Sequence, residues 1–152
     1  MKKRREIIVC IAAALLTRCA PAPKPVESAR DETKELWYAE TVEKLAAMNR
    51  EAESYFEKGK GDDAAALIEK GQPMVKRLLT PPHPTLEAEQ AASDLNHLYA
   101  RMLLSNHHYG WARMLFQQNV ARWKHWRPQS PETDRRLKQA QDGIVECDKH
   151  LD

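Results

Sequence analysis

The sequence predicts an all-α fold of about five antiparallel helices. Residues that favour helices (Ala, Leu, Glu, Gln, Lys and Arg) are abundant, whereas Val, Ile and Phe are few. Apolar residues recur at spacings of three and four, and no stretch shows the strict alternation of a half-buried strand. The 152 residues suffice for one domain, and five Gly are too few for a glycine-rich phosphate-binding architecture.

The first two helices follow from this periodicity. The first is predicted over residues 30–57, with acidic residues in its first turns, where they favour the positive end of the helix dipole. The second is predicted over residues 63–79, with Asp62 as its N-cap. Pro73 lies inside this second helix, and because proline removes a backbone hydrogen bond, we expect a kink or break near residues 70–73.

Prolines and a capping residue delimit the last three helices. Pro84 is predicted to be the first residue of the third helix, since proline is favoured at that position. The fourth helix is predicted over residues 109–126. Ser130 is predicted to cap a fifth helix that begins at Pro131 and whose apolar stripe extends to Leu151.

Residues 1–19 are predicted to be an export signal. Four cations at residues 2–5 precede an uncharged run at residues 7–16. As a helix, this run would rise about 15 Å, roughly half of a bilayer core, so it is too short for an ordinary transmembrane span. A basic start followed by a short apolar run is typical of a secretory signal peptide.

Cys19 indicates how the signal would be processed. The sequence Leu-Thr-Arg-Cys at residues 16–19 resembles the bacterial lipoprotein cleavage box, with Arg18 in place of the small residue of that family. The resemblance implies that Cys19 is the lipidated first residue of the mature chain. Residues 20–29 form a Pro- and Ala-rich tether. The alternatives are cleavage within the start of this tether, which gives a soluble exported protein, or an uncleaved anchor.

Removal of the signal reverses the net charge. The full chain has a formal charge of +2, but residues 1–19 hold five cations and one anion, which leaves a mature charge of −2. Residues 20–100 carry −5 and residues 101–152 carry +3. An exported chain of this charge is not expected to bind nucleic acid.

An internal repeat gives the strongest indication of architecture. Ala64 corresponds to Ala112 at a separation of 48, and Pro84 corresponds to Pro131 at a separation of 47. A repeated helix–turn–helix unit with a small residue at one helical position indicates stacked hairpins, because two backbones pass closely there.

The repeat resembles the tetratricopeptide repeat family, in particular the kinesin-light-chain type. The matching motifs are His83-Pro84-Thr85, Leu95-Asn96-His97-Leu98, Tyr109-Gly110-Trp111-Ala112 and Leu115-Phe116, together with Tyr55, Gly59, Ala64, Ile68 and Gly71 in the first unit. The resemblance covers residues 36–150 of a domain placed at residues 30–152. It implies two stacked hairpins with a C-terminal capping helix, and a concave groove that binds another protein or peptide.

The same resemblance implies the candidate binding residues. The groove-side candidates are Asn49, Asn96, His97 and Arg101, and the rim candidates are Trp126 and Arg127.

The rim candidates lie in a segment rich in basic and aromatic residues. Trp123 and Trp126 share one side of the fourth helix, and Arg122 can stack on Trp126. Trp123 is interpreted as core. Trp126 is either part of a contact surface or a cover over the junction of the fourth and fifth helices.

Cofactor and catalytic chemistry are not indicated. His97, His107, His108 and His125 have no recognised metal-ligand spacing, and no nucleophile, phosphate-loop or zinc-protease motif is present. Cys147 is interpreted as a small apolar residue on a helix, with a disulfide to Cys19 as the alternative.

The sequence thus predicts a non-enzymatic interaction module without a cofactor, lipid-anchored on the periplasmic face of the bacterial cell envelope. One alternative is a structural subunit of an envelope assembly that packs through its end helices, which hydrophobic residues exposed on the fifth helix would favour. The other is a module that responds to a ligand or metal.

Overall fold

The computed structural model describes residues 31–151, and within them the predicted all-α fold is confirmed. A 3₁₀ helix at Glu32–Lys34 precedes five α-helices: α1 (Leu36–Glu57), α2 (Gly61–Leu78), α3 (Leu86–Ser105), α4 (Tyr109–His125) and α5 (Pro131–Asp148). None of the helices in this range is long and apolar enough to cross a membrane. The predicted signal, the tether and Cys19 lie outside the described residues.

The helices pack in the order of two stacked hairpins. α1 packs against α2 and α3 packs against α4, while α3 also contacts both helices of the first hairpin. α5 packs mainly against α4 and makes only a small contact with α3, so it covers the end of the second hairpin. α2 and α4 do not contact each other anywhere in the described chain. The first helices of the two hairpins, α1 and α3, are therefore direct neighbours.

A left-handed residue ends α1 and turns the chain into α2. Gly59 has a φ of +71°, its amide donates to the carbonyl of Phe56 (3.0 Å), and the amide of Lys60 donates to the carbonyl of Tyr55 (2.9 Å). This pair of bonds is a Schellman motif, which satisfies carbonyls left free at a helix end. Glycine adopts the required conformation without steric cost.

The turn between α3 and α4 has the same geometry. The amide of His107 donates to the carbonyl of Leu104 (3.1 Å), and the amide of His108 donates to that of Leu103 (2.8 Å). His107, at a φ of 63°, occupies the left-handed position that Gly59 holds in the first turn. The two residues are 48 positions apart, which is the separation predicted from Ala64 and Ala112.

The start of α1 differs from the prediction. The helix begins at Leu36, and the predicted acidic first turn instead forms the separate 3₁₀ helix. The Asp31 carboxylate accepts from the backbone amide (3.2 Å) and the hydroxyl (2.6 Å) of Thr33, which closes this turn. Glu35 is then extended, with a ψ of 144°, and separates the two helices.

The first residues of two helices, α2 and α3, differ from the prediction. Asp62 is not the N-cap of α2, because the amide of Ala64 already bonds to the carbonyl of Lys60 (3.1 Å), which makes Lys60 the cap. Pro84 is not the first residue of α3, because the helix is capped by the next residue, Thr85, whose hydroxyl accepts from the third amide of the helix.

Of the kink or break predicted near Pro73, the break is wrong. α2 continues through this residue from Gly61 to Leu78. Proline cannot donate to the carbonyl four residues earlier, which belongs to Glu69. Both residues are on the exposed side of α2, where water can hydrate that carbonyl.

The predicted start of α5 is confirmed. Ser130 caps the helix, Pro131 is its first residue, and the side chain of Thr133 bonds back to the Ser130 amide (2.8 Å) to complete a capping box. The helix ends at Asp148, so Leu151 lies outside it and is exposed, contrary to the prediction.

Two apolar clusters form the core, one among α1, α2 and α3 and the other among α3, α4 and α5. Ala64 and Ala112 are fully buried, one in each cluster, as their small size requires. The interpretation of Trp123 as core is confirmed, since it has no exposed surface. Cys147 is buried on α5, as expected for a small apolar residue, and its proposed partner Cys19 is outside the described chain.

Polar side chains buried between α3 and α4 were not predicted. The Trp123 indole donates to the Ser93 hydroxyl (2.9 Å), and the Asn119 amide donates to the Ser93 carbonyl (3.0 Å). Arg122 donates to the Asn119 side-chain oxygen (2.7 Å) and to the Glu89 carboxylate (2.6 Å). These bonds satisfy groups that would otherwise be costly to bury.

Candidate binding groove

A groove lies between α1 and α3, on the side formed by the first helices of the units. Its volume is about 500 Å³. The polar and charged residues that line it include Asn49, Arg50, Glu53, Glu57, Asp94 and His97. We refer to this cleft as the α1–α3 groove.

Helix periodicity explains why these residues meet. Asn49, Glu53 and Glu57 are four residues apart, so they lie in one row along α1. His97 is at the same position of the second unit as Asn49, since the two are 48 residues apart. The repeat therefore places equivalent residues of α1 and α3 on the same groove.

Asn49 contributes a buried amide to the groove wall. The residue is 7% exposed, and its side-chain nitrogen donates to the carbonyl of Ala91 on α3 (2.8 Å). Its side-chain oxygen has no hydrogen-bond partner among the described residues. Buried polar atoms are normally paired, and an unpaired one costs about 1–3 kcal/mol. This oxygen has almost no accessible surface, so it is not open to a ligand in this conformation.

His97 lies on the opposite wall, packed against the core. Its ring meets Phe116 of α4 edge to face, with the centroids 5.5 Å apart. Burial lowers the pKa of His97 below its ordinary value of 6.5, and the nearby charge of Arg101 lowers this pKa further. The imidazole is therefore neutral at pH 7.

Two ion pairs cross this side of the molecule. Arg101 of α3 pairs with Glu53 of α1, and Arg136 of α5 pairs with Asp94 of α3. Arg136 also contacts Glu132 (2.6 Å), whose pKa falls to about 2, mainly through its hydrogen bond with Arg135. Arg101, one of the predicted groove residues, is thus paired with the lining residue Glu53 but does not itself line the groove.

Asn96 does not face the groove, so this part of the prediction is wrong. It is buried, and its amide donates to the side chain of Gln118 on α4 (3.3 Å). One residue along a helix rotates the side chain by about 100°, which turns Asn96 away from the side that His97 occupies.

The two rim candidates lie apart from the groove. Trp126 is the half-buried C-cap of α4 and borders a different depression of about 370 Å³, together with Glu89 and Arg122. Arg127 is exposed and donates to the carbonyls of Lys124 (3.0 Å) and Trp126 (2.6 Å) at the end of α4. Arg122 bonds to Glu89 and Asn119, so the expected stacking of Arg122 on Trp126 is not formed.

The histidines considered as metal ligands are dispersed. No group of three or more His, Cys, Asp or Glu side chains within residues 31–151 is arranged to hold a metal ion. His107 interacts instead with the Tyr109 hydroxyl (2.7 Å). Burial raises the pKa of the Cys147 thiol, which keeps it protonated and poorly reactive.

Sequence reasoning missed an exposed apolar depression on the side of α3 and α4. Tyr99, Leu103, His108 and Trp111 line about 380 Å³, and Trp111 is 63% exposed. The signal that could have found it is an aromatic residue that breaks the amphipathic pattern of α4.

The chain matches no protein-family model, no curated protein and no solved structure. The α1–α3 groove and the sequence motifs are therefore the features that bear on function.

Proposed function

We propose that this chain is a non-enzymatic module that binds a segment of another protein in the α1–α3 groove. The observation that carries the proposal is the cleft itself, which has a volume of about 500 Å³ and is lined by polar side chains of both α1 and α3. These side chains offer hydrogen-bond donors and acceptors to the backbone and side chains of a partner.

The resemblance to tetratricopeptide repeats supports the same function. In that family the first helices of successive hairpins line the binding groove, and here α1 and α3 flank the cleft. We assign the chain to this architecture on the motifs of the sequence and on the order in which its helices pack.

Site-specific photocrosslinking tests the groove. A photoreactive amino acid replaces Arg50, which lines the groove, or Glu51, an exposed neighbour on α1 that does not. In the cells that express the variants, we expect a crosslinked protein adduct at position 50 and little at position 51. Adducts of equal yield at both positions, or none at either, would contradict binding in the groove.

Export and lipidation form the second part of the proposal. The basic start, the short apolar run and the cleavage-box resemblance at residues 16–19 support an exported lipoprotein on the periplasmic face of the envelope. Intact mass of membrane-extracted protein tests this, with a diacylated Cys19 as the expected N-terminus. A full-length chain, or one that begins after Cys19, would refute the lipid anchor.

A second candidate is an accessory subunit of an envelope assembly. Val145 is 58% exposed on α5, and Leu151 just beyond it is 49% exposed, so the last helix leaves apolar surface uncovered. A photoreactive residue at position 145 distinguishes the two functions, because an accessory subunit would give its main adduct there and not at position 50.

A further inference from the structure

We propose that the α1–α3 groove selects a segment with two opposite charges about 10 Å apart, an acidic side chain placed at Arg50 and a basic side chain placed at Glu57. This inference rests on the proposed function, because it names the chemistry of the segment that the groove would hold.

Arg50 and Glu57 are the free charges of the groove lining. Both are exposed, and neither makes an ion pair or a hydrogen bond within the described residues. Glu53 and Asp94, the other charged residues of the lining, are each paired with an arginine outside it. His97 is neutral at pH 7, because burial lowers its pKa. The lining therefore has no net charge, but one positive and one negative group remain open to a ligand.

The two free charges lie on one side of α1 and apart from each other. Arg50 and Glu57 are seven residues apart, which is almost two full turns, so they are separated by about 10 Å along the helix. This separation is too long for a direct ion pair, so the two charges do not neutralise each other locally. An extended chain rises about 3.3 Å per residue, so an acidic and a basic residue three positions apart would match both charges.

The register of the repeat leaves both charges without a partner on α3. The ion pair between Glu53 and Arg101 shows that residues 48 positions apart can meet across α1 and α3. At the same separation, Arg50 corresponds to Leu98, a buried apolar residue that also lines the groove. Glu57 corresponds to a serine. The second unit therefore supplies a partner for the middle charge of this row but not for the two outer ones.

The direction of the helices agrees with this polarity. α1 and α3 run in the same direction, since their starts are joined by the hydrogen bond between Tyr38 and Thr85 (3.3 Å) and their later turns by the ion pair. Glu57 is the last residue of α1, and neither helix has a basic residue in its last turn. The partial negative charge of the helix C-terminus therefore adds to that of Glu57. Lys58 follows directly but does not line the groove, and Arg50 lies two turns earlier.

Selection from a random dodecapeptide display library on the full-length protein in detergent tests the inference. We expect the selected peptides to be enriched, relative to the unselected library, in pairs of one acidic and one basic residue three positions apart. The tightest peptide is then measured by fluorescence anisotropy in double-mutant cycles, each of which neutralises one charge of the protein and one of the peptide. Arg50→Gln should couple to the acidic residue of the peptide, and Glu57→Gln to its basic residue. Each neutralisation alone should weaken binding about 1.5- to fivefold, the range of an exposed ion pair.

Lys44→Gln and Glu51→Gln are the matched controls, because they remove the same charges from exposed positions of α1 outside the groove. Equal losses from the groove variants and from these controls would overturn the inference, since binding would then follow overall charge. All four positions are exposed, so these variants should keep the fold.

A further variant separates this inference from the proposed function. Ser54→Trp fills the cleft between the two charges and alters neither of them. Peptides that lose affinity with Ser54→Trp but contain no pair of opposite charges, or show no coupling in the cycles, would overturn the inference and leave the groove function standing. If no peptide is selected, or if affinity responds neither to Ser54→Trp nor to the two charge variants, both proposals fail.

Discussion

Gly143→Ala should destabilise the protein, although alanine is the better helix former. Gly143 lies within α5, and a Cβ atom built on it would be 2.6 Å from two carbons of the Phe116 ring. Ordinary contact begins at 3.4 Å, so the buried ring would have to move by about 1 Å. Such overpacking costs about 1–3 kcal/mol. Alanine regains about 1 kcal/mol of helix propensity, which leaves a net loss of up to about 2 kcal/mol.

Urea denaturation followed by circular dichroism measures this loss as a change in the free energy of unfolding. Gly110→Ala is the matched control: it is also helical, but a Cβ there has no atom within 4 Å, so its stability should be unchanged or higher. Phe116→Leu should relieve the overlap, so the double variant should be more stable than the sum of the single changes predicts. A Gly143→Ala protein at least as stable as wild type would refute the packing of α4 on α5 described above.

Three further changes follow from the same structure. His107→Gly should raise the free energy of unfolding by about 1 kcal/mol in urea denaturation, because His107 has a φ of 63°; no gain would contradict the left-handed turn. Tyr38→Phe should lower the free energy of unfolding by about 1–2 kcal/mol. The buried hydroxyl donates to the end of α2 (2.9 Å) and accepts from the residue that caps α3 (3.3 Å). Tyr99→Phe is its control, because that hydroxyl makes no hydrogen bond within the described chain, and an equal loss from both would refute the assignment. His97 has a lowered pKa when folded, so the unfolded state takes up a proton first as the pH falls through 6.5. Stability should therefore decrease as the pH is lowered from about 7.5 to below 6.5, and urea midpoints should show a smaller decrease for His97→Gln. An identical decrease in the variant would show that His97 is not buried as described.

The helices could be predicted from the sequence, but several of their ends could not. A periodicity of three and four residues is a property of a whole segment, so it does not depend on any single residue. The position of a helix end, in contrast, depends on single hydrogen bonds made by the capping residue. Asp31 bonds within its own turn and so cannot begin α1, whereas Ser130 caps α5 because Thr133 returns the bond. Asp31 and Ser130 both look like N-caps in the sequence. Only the backbone conformation of the residues that follow shows which of the two begins an α-helix.

The polar contacts between α3 and α4 could not be predicted from the sequence, for a different reason. Asn119 and Trp123 of α4 each bond to Ser93 of α3, across 26 and 30 residues respectively. Polar residues in a helix are usually exposed, so nothing in the pattern marks Ser93 and Asn119 as buried. Burial becomes favourable only when the three groups meet and satisfy one another.

The register of the repeat also explains why Glu57 is the unpaired carboxylate of the groove. At a separation of 48 residues, Glu53 of α1 corresponds to Arg101 of α3, and these opposite charges pair with each other. One turn further, Glu57 corresponds to Ser105, whose hydroxyl donates to the carbonyl of Met102 within α3 (2.8 Å). No cation of the second unit is therefore placed opposite Glu57.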